Sequence, residues 1–199
     1  MNKLFPELVI SRSNPSNMVR TAALALTSLL ALSAMAQPGT FTLPSTVVGG
    51  QATMKQVFSG FGCTGENQSP QLIWSNAPED TKSYAITLYD PDASTGSGWW
   101  HWVVFDIPAD TKELITGAGT PGLPGMPASA VQSMTDLGGP GYGGPCPPPG
   151  HGPHQYVLTI HALKVDKLGL DGKASAPMVG FNLSQNTLAK ASIVFYYER

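Results

Sequence analysis

A chain of 199 residues has room for one domain and an N-terminal export segment, but not for a second catalytic domain. The sequence is 42% hydrophobic and 12% charged, which suits a folded core, and its 22 glycines and 18 prolines favour turns over long helices. Its formal net charge of -2 provides no excess of Lys and Arg for the phosphates of a nucleic acid, so we exclude nucleic-acid binding.

The N-terminal segment predicts export. Arg20 precedes an apolar stretch from Ala22 to Leu32, and small residues then lead to Ala36, which is the pattern of a signal peptide with an Ala-x-Ala cleavage site. A membrane span needs about 20 apolar residues, more than this stretch supplies. We therefore predict cleavage after Ala36 and no membrane span in the mature chain.

These features divide the chain into a signal-peptide region, residues 1–36, and one mature domain, residues 37–199. The residues before Met18 have no signal-peptide character, so we take Met18 as the start codon. The predicted location of the mature domain is the periplasm or the cell exterior. Because these compartments are oxidising, Cys63 and Cys146 are expected to form a disulfide, with two buried thiols as the alternative.

Seven apolar runs bounded by Gly, Pro, Asn or Asp predict β-strands. In chain order they are Phe41–Leu43, Met54–Phe58, Leu72–Trp74, Tyr84–Tyr89, Trp100–Ile107, Tyr156–Leu163 and Ile193–Tyr197. Helix signals are limited to Leu183–Ser192, with Ser184 as its N-cap, and to a turn or two near Pro177–Phe181. No strand alternates with a long helix, which disfavours a doubly wound parallel sheet. The sequence therefore predicts one mainly β domain with antiparallel strands and a few short helices.

Polar side chains lie at the ends of three predicted strands, where a rigid scaffold presents ligand-binding groups. Asp90 and Asp92 follow the strand Tyr84–Tyr89, His101 opens the next strand, and His154 opens a third. Two carboxylates that are two residues apart in an extended chain point the same way, and either can fix the tautomer of a neighbouring histidine. The alternative is that Asp-Pro-Asp only starts a turn.

The strand that contains His101 is apolar on both faces. Regular alternation predicts one face with Trp99, His101, Val103 and Phe105, and another with Trp100, Trp102 and Val104. A histidine in this setting is either a core residue with its hydrogen bonds satisfied or a polar group in an aromatic ligand slot. The pattern leaves both interpretations open.

The segment Gly117–Pro153 is rich in Gly and Pro and predicts a long loop, apart from a strand-like stretch at Val131–Met134. Loops of this length are commonly functional, so we look for the site here. The backbone N–H groups of Gly143, Gly144 and Cys146 could form a nest that holds an anion. The segment has no GK[ST] motif and no following helix, which excludes a P-loop or a dinucleotide-binding loop.

Two runs in the sequence carry a family resemblance. DPDASTGSGWWHW spans Asp90 to Trp102, and YGGPCPPPGHGPHQY spans Tyr142 to Tyr156. Together they resemble the two signature regions of the phosphatidylethanolamine-binding protein family, whose bacterial members are called Raf-kinase-inhibitor-like proteins. The resemblance covers nearly all of residues 41–199 and implies a β-sandwich with a small pocket for phosphate-type head groups or simple anions.

The resemblance also implies a set of pocket residues. Carried over position by position, they are Asp90, Asp92, Trp99, His101, Gly144, Pro147, His154 and Tyr156. His151 has no equivalent in the family pattern and is interpreted as a loop residue. The C-terminal helix that supplies a pocket tyrosine in eukaryotic members is expected to be absent, because the chain ends at Arg199 after a predicted strand.

The sequence therefore predicts an exported binding protein for a small anionic or phosphate-containing ligand, without a cofactor, a metal or a catalysed reaction. Three alternatives stay open. The histidines and aspartates could hold the metal of a hydrolase, and a cysteine could pair with a histidine as a nucleophile. The family resemblance also suggests a peptidase inhibitor with a peptidase as its partner, and exposed strand edges are compatible with a homodimer.

Overall fold

The computed structural model describes residues 39–45 and 48–199. The predicted signal peptide, its cleavage after Ala36 and the start at Met18 lie outside these residues. The described chain has ten β-strands and one α-helix. In chain order they are β1 (Gly50–Gln51), β2 (Ser59–Gly60), β3 (Cys63–Thr64), β4 (Leu72–Ile73), β5 (Ser83–Asp90), β6 (Trp99–Pro108), β7 (Glu113–Leu114), β8 (Val131–Gln132), β9 (His154–Leu163), α1 (Ala176–Asn186) and β10 (Thr187–Tyr197).

Six strands form the main sheet, in the order β1-β10-β9-β5-β6-β8. Neighbouring strands are antiparallel except β1 and β10, which are parallel. Two small sheets pair β2 with β3 and β4 with β7. The long central strands are rich in β-branched and aromatic residues, which pack well on a pleated surface. The prediction of a mainly β domain is confirmed, and the described residues contain one helix where a few were expected.

The central part of the main sheet is buried on both faces, and each face has its own hydrophobic core. On the first face, Ile86 and Leu158 belong to a cluster that includes Leu72 of the small β4–β7 sheet. On the second face, Phe105 packs in a cluster with Val179 of α1. The main sheet and the smaller β layer form the two layers of a sandwich, and α1 covers part of the opposite face.

The helix lies earlier in the chain than predicted. The expected helix was Leu183–Ser192 with Ser184 as its N-cap, whereas α1 is Ala176–Asn186 and follows Ser175 as N-cap. From Thr187 onward the chain is a strand that pairs with β9 along its whole length. This prediction is wrong beyond the end of α1, because strand pairing in the folded sheet outweighs a weak local preference for helix. The turn predicted just before it lies within α1.

Two of the predicted strands do not form strands in the structure. Met54–Phe58 forms a turn in which the N–H groups of Gln56 and Val57 both donate to the Thr53 carbonyl, so the strand prediction is wrong there. Phe41–Leu43 contributes only one isolated bridge. Phe41 and Leu43 pack in the first core and Val57 is buried, and burial alone does not distinguish a strand from an irregular segment.

The segment predicted as a long loop is mostly irregular. Between residues 117 and 153 the only strand is β8, which lies within the strand-like stretch Val131–Met134. Within the described residues, no helix is both long enough and apolar enough to cross a membrane.

A β-bulge at His101 changes the predicted alternation of β6. The register passes from Leu88 opposite Trp102 to Tyr89 opposite Trp100, so His101 is an extra residue in β6. Trp102 therefore lies in the first core, while Trp100 packs against the second. The prediction that the two tryptophans share a face is wrong, because a bulge inserts one residue into a period of two.

Candidate functional site

A pocket of about 360 Å³ lies where β5 ends and β6 and β9 begin. These ends meet because β5 is antiparallel to both neighbours. The pocket lining includes seven of the eight predicted ligand-binding residues, namely Asp90, Trp99, His101, Gly144, Pro147, His154 and Tyr156. Ligand pockets commonly measure about 300 to 1,000 Å³, so this volume suits a small molecule.

Asp90 and His154 form a buried pair at the base of the pocket. The Nδ1–H of His154 donates to Asp90 Oδ2 over 2.8 Å. The other carboxylate oxygen, Asp90 Oδ1, accepts the backbone N–H groups of Asp92 and Ala93 at 2.8 and 3.1 Å. The pair fixes the His154 tautomer and leaves Nε2 as the free nitrogen, since it makes no hydrogen bond to the described residues.

His101 is held in the same manner by a backbone oxygen. Its Nδ1–H donates to the Gly143 carbonyl at 2.9 Å, and its ring meets Tyr156 edge-on at 5.2 Å between centroids. Burial lowers the pKa of His101, against smaller raising effects from the Gly143 carbonyl and Asp90. The imidazole is therefore neutral at pH 7, with its Nε2 free of hydrogen bonds to the described residues.

Tyr156 supplies a buried hydroxyl without a protein partner. Its side chain is fully buried, and its Oη makes no hydrogen bond of good geometry to the described residues, although the Asp90 carboxylate and the Cys146 N–H lie near it. Burial, and then the charge of Asp90, raises the pKa of Tyr156 well above its ordinary value, so the group is a neutral O–H donor. A buried polar atom without a partner costs roughly 1–3 kcal/mol. Such an atom in a pocket wall is suited to a hydrogen bond with a bound molecule.

Asp92 is the one predicted ligand-binding residue that does not line the pocket. It is exposed, and its Oδ2 accepts the backbone N–H of Gln155 at 2.8 Å. This bond joins the loop after β5 to the start of β9. The two carboxylates therefore diverge, because the chain turns directly after Asp90 instead of continuing in an extended conformation.

The glycines of the loop 143–149 do not form the predicted anion nest. The Gly143 N–H donates to the His101 carbonyl at 2.9 Å, and the Gly144 N–H donates to Asn67 Oδ1 at 2.8 Å. Both donors are thus occupied, and the prediction is wrong for these two residues. Gly144 is required for another reason: a Cβ on it would lie 1.8 Å from the Gln56 carbonyl oxygen.

The predicted disulfide is present between Cys63 and Cys146. It links the β2–β3 hairpin to the proline-rich loop, and Cys146 itself lines the pocket. Both cysteines of the chain are used in this bond, so the cysteine-nucleophile alternative is wrong for the disulfide-bonded protein.

The mouth of the pocket contains three residues that the sequence analysis did not identify: Phe61, His151 and Arg199. Arg199 and Phe61 are far from both signature runs, and His151 was interpreted as a loop residue only. Only one feature of the sequence distinguishes any of the three: Arg199 is the only arginine after Arg20. Folding brings these residues to the pocket through contacts that no local pattern encodes.

Among the described residues, no group of three or more His, Cys, Asp or Glu side chains is arranged to hold a metal ion. Asp90 and His154 are close, but they hydrogen-bond to each other, and Asp92 lies outside the pocket.

Comparisons with known proteins identify relatives of this chain. A model of the family described as phosphatidylethanolamine-binding protein matches residues 45–198. The UPF0098 protein YbcL of Escherichia coli K12 is 48% identical over 165 residues, which cover 82% of this chain and 90% of YbcL. YbhB of the same organism is 50% identical over 139 residues, or 70% of this chain and 87% of YbhB.

A further relative bears the name lipoprotein LppC in Mycobacterium tuberculosis H37Rv. It is 33% identical over 138 residues, which cover 69% of this chain and 64% of LppC. Among solved structures, the crystal structure of E. coli YbcL, described as a member of the mammalian PEBP family, has a TM-score of 0.78 at 47% identity. The match covers 81% of this chain and 99% of YbcL. From the family model and these identities, the chain belongs to the phosphatidylethanolamine-binding protein family.

Proposed function

We propose that the protein is an exported binding protein for a small anion of the phosphate type, held in the pocket between His101, His154 and Tyr156. The observation that carries the proposal is the set of three unused hydrogen-bonding atoms on this pocket. They are the Nε2 atoms of the two histidines and the Oη of Tyr156. A phosphate group can accept the O–H of Tyr156 with one oxygen and, where another oxygen carries a proton, donate that P–OH to a histidine Nε2.

The hydrogen-bonding groups of the pocket favour a ligand that carries both acceptor oxygens and a proton. Because its Nδ1–H donates to the Gly143 carbonyl, the neutral His101 offers a lone pair at Nε2, while Tyr156 offers an O–H. A phosphomonoester has its second pKa near 6 and can therefore present a P–OH to one Nε2. Binding of this protonated form takes up a proton above pH 6, so affinity rises as the pH falls from 8 to 6.

The remainder of the lining supports a small ligand with a partly apolar environment. Trp99 is half-buried and forms one wall, and Pro147 and Leu137 contribute to others. An apolar wall weakens competition from water and strengthens the few polar contacts inside. No reaction is part of this proposal.

Export is supported by two independent observations. The Cys63–Cys146 disulfide is of a kind that persists in oxidising compartments. LppC, a relative at 33% identity, bears the name of a lipoprotein. Together with the signal-peptide pattern at Arg20–Ala36, they support a location in the periplasm or outside the cell.

The test is calorimetric titration of the purified protein with inorganic phosphate and with ethyl phosphate. We expect saturable binding of one ligand per chain, and we expect His101→Ala and His154→Ala to abolish it while the circular dichroism spectrum stays that of a folded β protein. Unchanged binding by both variants would disprove the proposed site. Unfolding of both would show that they are core histidines.

A further inference from the structure

We infer that the mouth of the pocket is a second, cationic subsite, formed by Arg199 and His151, which selects ligands that carry another negative charge beside the phosphate-type group. This inference rests on the proposed function, because the subsite adjoins the pocket of His101 and His154. It also names the ligand class more narrowly: a small phosphate compound with an acidic substituent, rather than one with an ammonium substituent.

The Arg199 guanidinium is fixed in place across the pocket mouth. Its Nε–H donates to the Pro147 carbonyl at 2.6 Å, and its Nη2 donates to the Phe61 carbonyl at 3.2 Å. These carbonyls belong to the proline-rich loop and the β2–β3 turn, on two sides of the mouth. The guanidinium is therefore oriented before any ligand arrives, which reduces the entropy that binding would cost.

Part of the guanidinium remains available to a ligand. A guanidinium has five N–H groups, and two of the three nitrogens of Arg199 are engaged by the carbonyls above. Nη1 makes no hydrogen bond to the described residues. It lies beside Gly62, where a Cβ would come within 3.2 Å of it. Planar N–H pairs of this kind match the two oxygens of a carboxylate or phosphate.

His151 lies beside the inner histidines. Its ring stacks on that of His154 with 5.8 Å between centroids and 28° between planes. The flanking Gly150 and Gly152 both have left-handed φ angles, 79° and 81°, which turn the short loop so that His151 lines the pocket. Neither ring nitrogen of His151 makes a hydrogen bond to the described residues. The Gly150 N–H donates to the Arg199 carbonyl at 3.0 Å, so the same loop holds both residues.

The charges around the pocket favour a second anion. Asp90 is the only Asp or Glu in the lining, and its side chain is committed to His154 and to two backbone N–H groups. Arg199 is the only Lys or Arg in the lining, and no Asp or Glu side chain among the described residues forms an ion pair with it. An acidic substituent supplies the missing partner, whereas an ammonium substituent is repelled.

The spacing fits a short substituent. Because the rings of His151 and His154 are 5.8 Å apart, a group two or three bonds from a phosphate bound at His154 Nε2 reaches the mouth. Phosphoglycolate, ethyl phosphate and phosphoethanolamine have the same phosphate head with anionic, neutral and cationic two-carbon substituents. Calorimetric titration of the purified protein with each, at one fixed ionic strength, measures the preference directly.

We expect phosphoglycolate to bind at least tenfold more tightly than ethyl phosphate, and phosphoethanolamine to bind most weakly. Arg199→Gln and His151→Phe should each reduce the preference for phosphoglycolate over ethyl phosphate at least threefold. His151→Phe keeps a ring on His154 but removes the two ring nitrogens. Lys173→Gln, which removes one exposed positive charge outside the pocket, is the control and should not alter the preference.

Equal affinities of the wild-type protein for phosphoglycolate and ethyl phosphate would overturn the inference. So would an Arg199→Gln variant that loses the same factor of affinity for all three ligands, because Arg199 would then only tie the two sides of the mouth together. These results leave the proposed function intact, since ethyl phosphate still binds. Failure of all three ligands to bind would overturn the proposed function and the inference with it.

Discussion

His154 and Asp90 share a hydrogen bond of 2.8 Å, and their side chains are only 5% and 4% exposed. One side chain begins β9 and the other ends β5, so the pair depends on the antiparallel register of these two strands. Because Asp90 also accepts two backbone N–H groups, its position does not depend on His154 alone. The carboxylate orients the imidazole and leaves Nε2 as its free nitrogen.

Replacing Asp90 should therefore weaken anion binding much more than replacing Asp92. Asp90→Asn removes the charge and allows the amide to face His154 with its N–H₂ group, which favours the wrong tautomer. We expect at least a tenfold loss of affinity for ethyl phosphate by calorimetry. Asp92→Asn is the matched control, since Asp92 is exposed and outside the pocket, and should change affinity less than threefold. Equal losses in the two variants would contradict this assignment.

The Tyr156→Phe variant should separate binding from folding. The Tyr156 hydroxyl has no partner in the described residues, so its removal takes no hydrogen bond from the fold. We expect the free energy of unfolding, measured with urea, to change by less than about 1 kcal/mol. Affinity for ethyl phosphate should fall roughly tenfold or more, because a hydrogen bond to a charged group contributes about 1.5–3 kcal/mol.

A binding role for Tyr156 requires a loss of affinity for ethyl phosphate without a comparable loss of stability in urea. Tyr142 provides the contrasting case, since its buried hydroxyl does donate, to the Gln56 carbonyl at 3.0 Å. Tyr142→Phe should destabilise the fold by about 1 kcal/mol, the contribution of a typical hydrogen bond. A Tyr156→Phe protein that is clearly destabilised but binds normally would show that Tyr156 has a structural role only.

His161 should make the fold less stable in mild acid. Burial, with a smaller effect of Lys190, lowers the pKa of His161 from 6.5 to about 4. Between these values the unfolded chain binds a proton at this residue and the folded chain does not, so stability decreases as the pH falls from 6.5 to 4. The loss amounts to at most about 3 kcal/mol at the lower end.

Urea unfolding at several pH values checks this prediction. The His161→Gln variant should lose less stability than the wild-type protein as the pH falls from 6.5 to 4, and the two curves should become parallel above pH 7. Other groups titrate in this range, and the difference between the two proteins isolates the contribution of His161. Identical pH dependence in both proteins would show that His161 takes up its proton equally in the folded and unfolded states.

The disulfide should stabilise both the domain and the pocket mouth. It joins residues 83 positions apart, Cys63 and Cys146, and the chain-entropy relation gives about 4 kcal/mol for a loop of this size. We expect the Cys63→Ala, Cys146→Ala double variant to lose that amount in urea unfolding. Affinity for ethyl phosphate should also fall, since Cys146 lines the pocket. A double variant with unchanged stability would contradict this prediction, since it would mean that residual structure already restricts this loop in the unfolded chain.

The sequence pattern was sufficient for the general class of the fold and for most of the pocket. Alternating and compact apolar runs predicted the central strands β5, β6 and β9, because a buried sheet selects residues locally with a period of two. Near the end of the chain the same local logic succeeded for Ile193–Tyr197, which lies within β10, but failed for residues 187–192. These residues were predicted as helix and form a strand because they pair with β9.

The two signature runs of the sequence were enough to predict most of the pocket, since seven of the eight residues predicted from them line it. Only the tertiary structure decided which groups of those residues are free. The glycine N–H groups are occupied by His101 and Asn67, Asp92 is turned outward, and the Tyr156 hydroxyl is left without a partner. Arg199 and His151 reach the mouth only through long-range contacts. Residue type and spacing fix what a side chain can do, whereas hydrogen-bond partners distant in the chain fix what it is free to do.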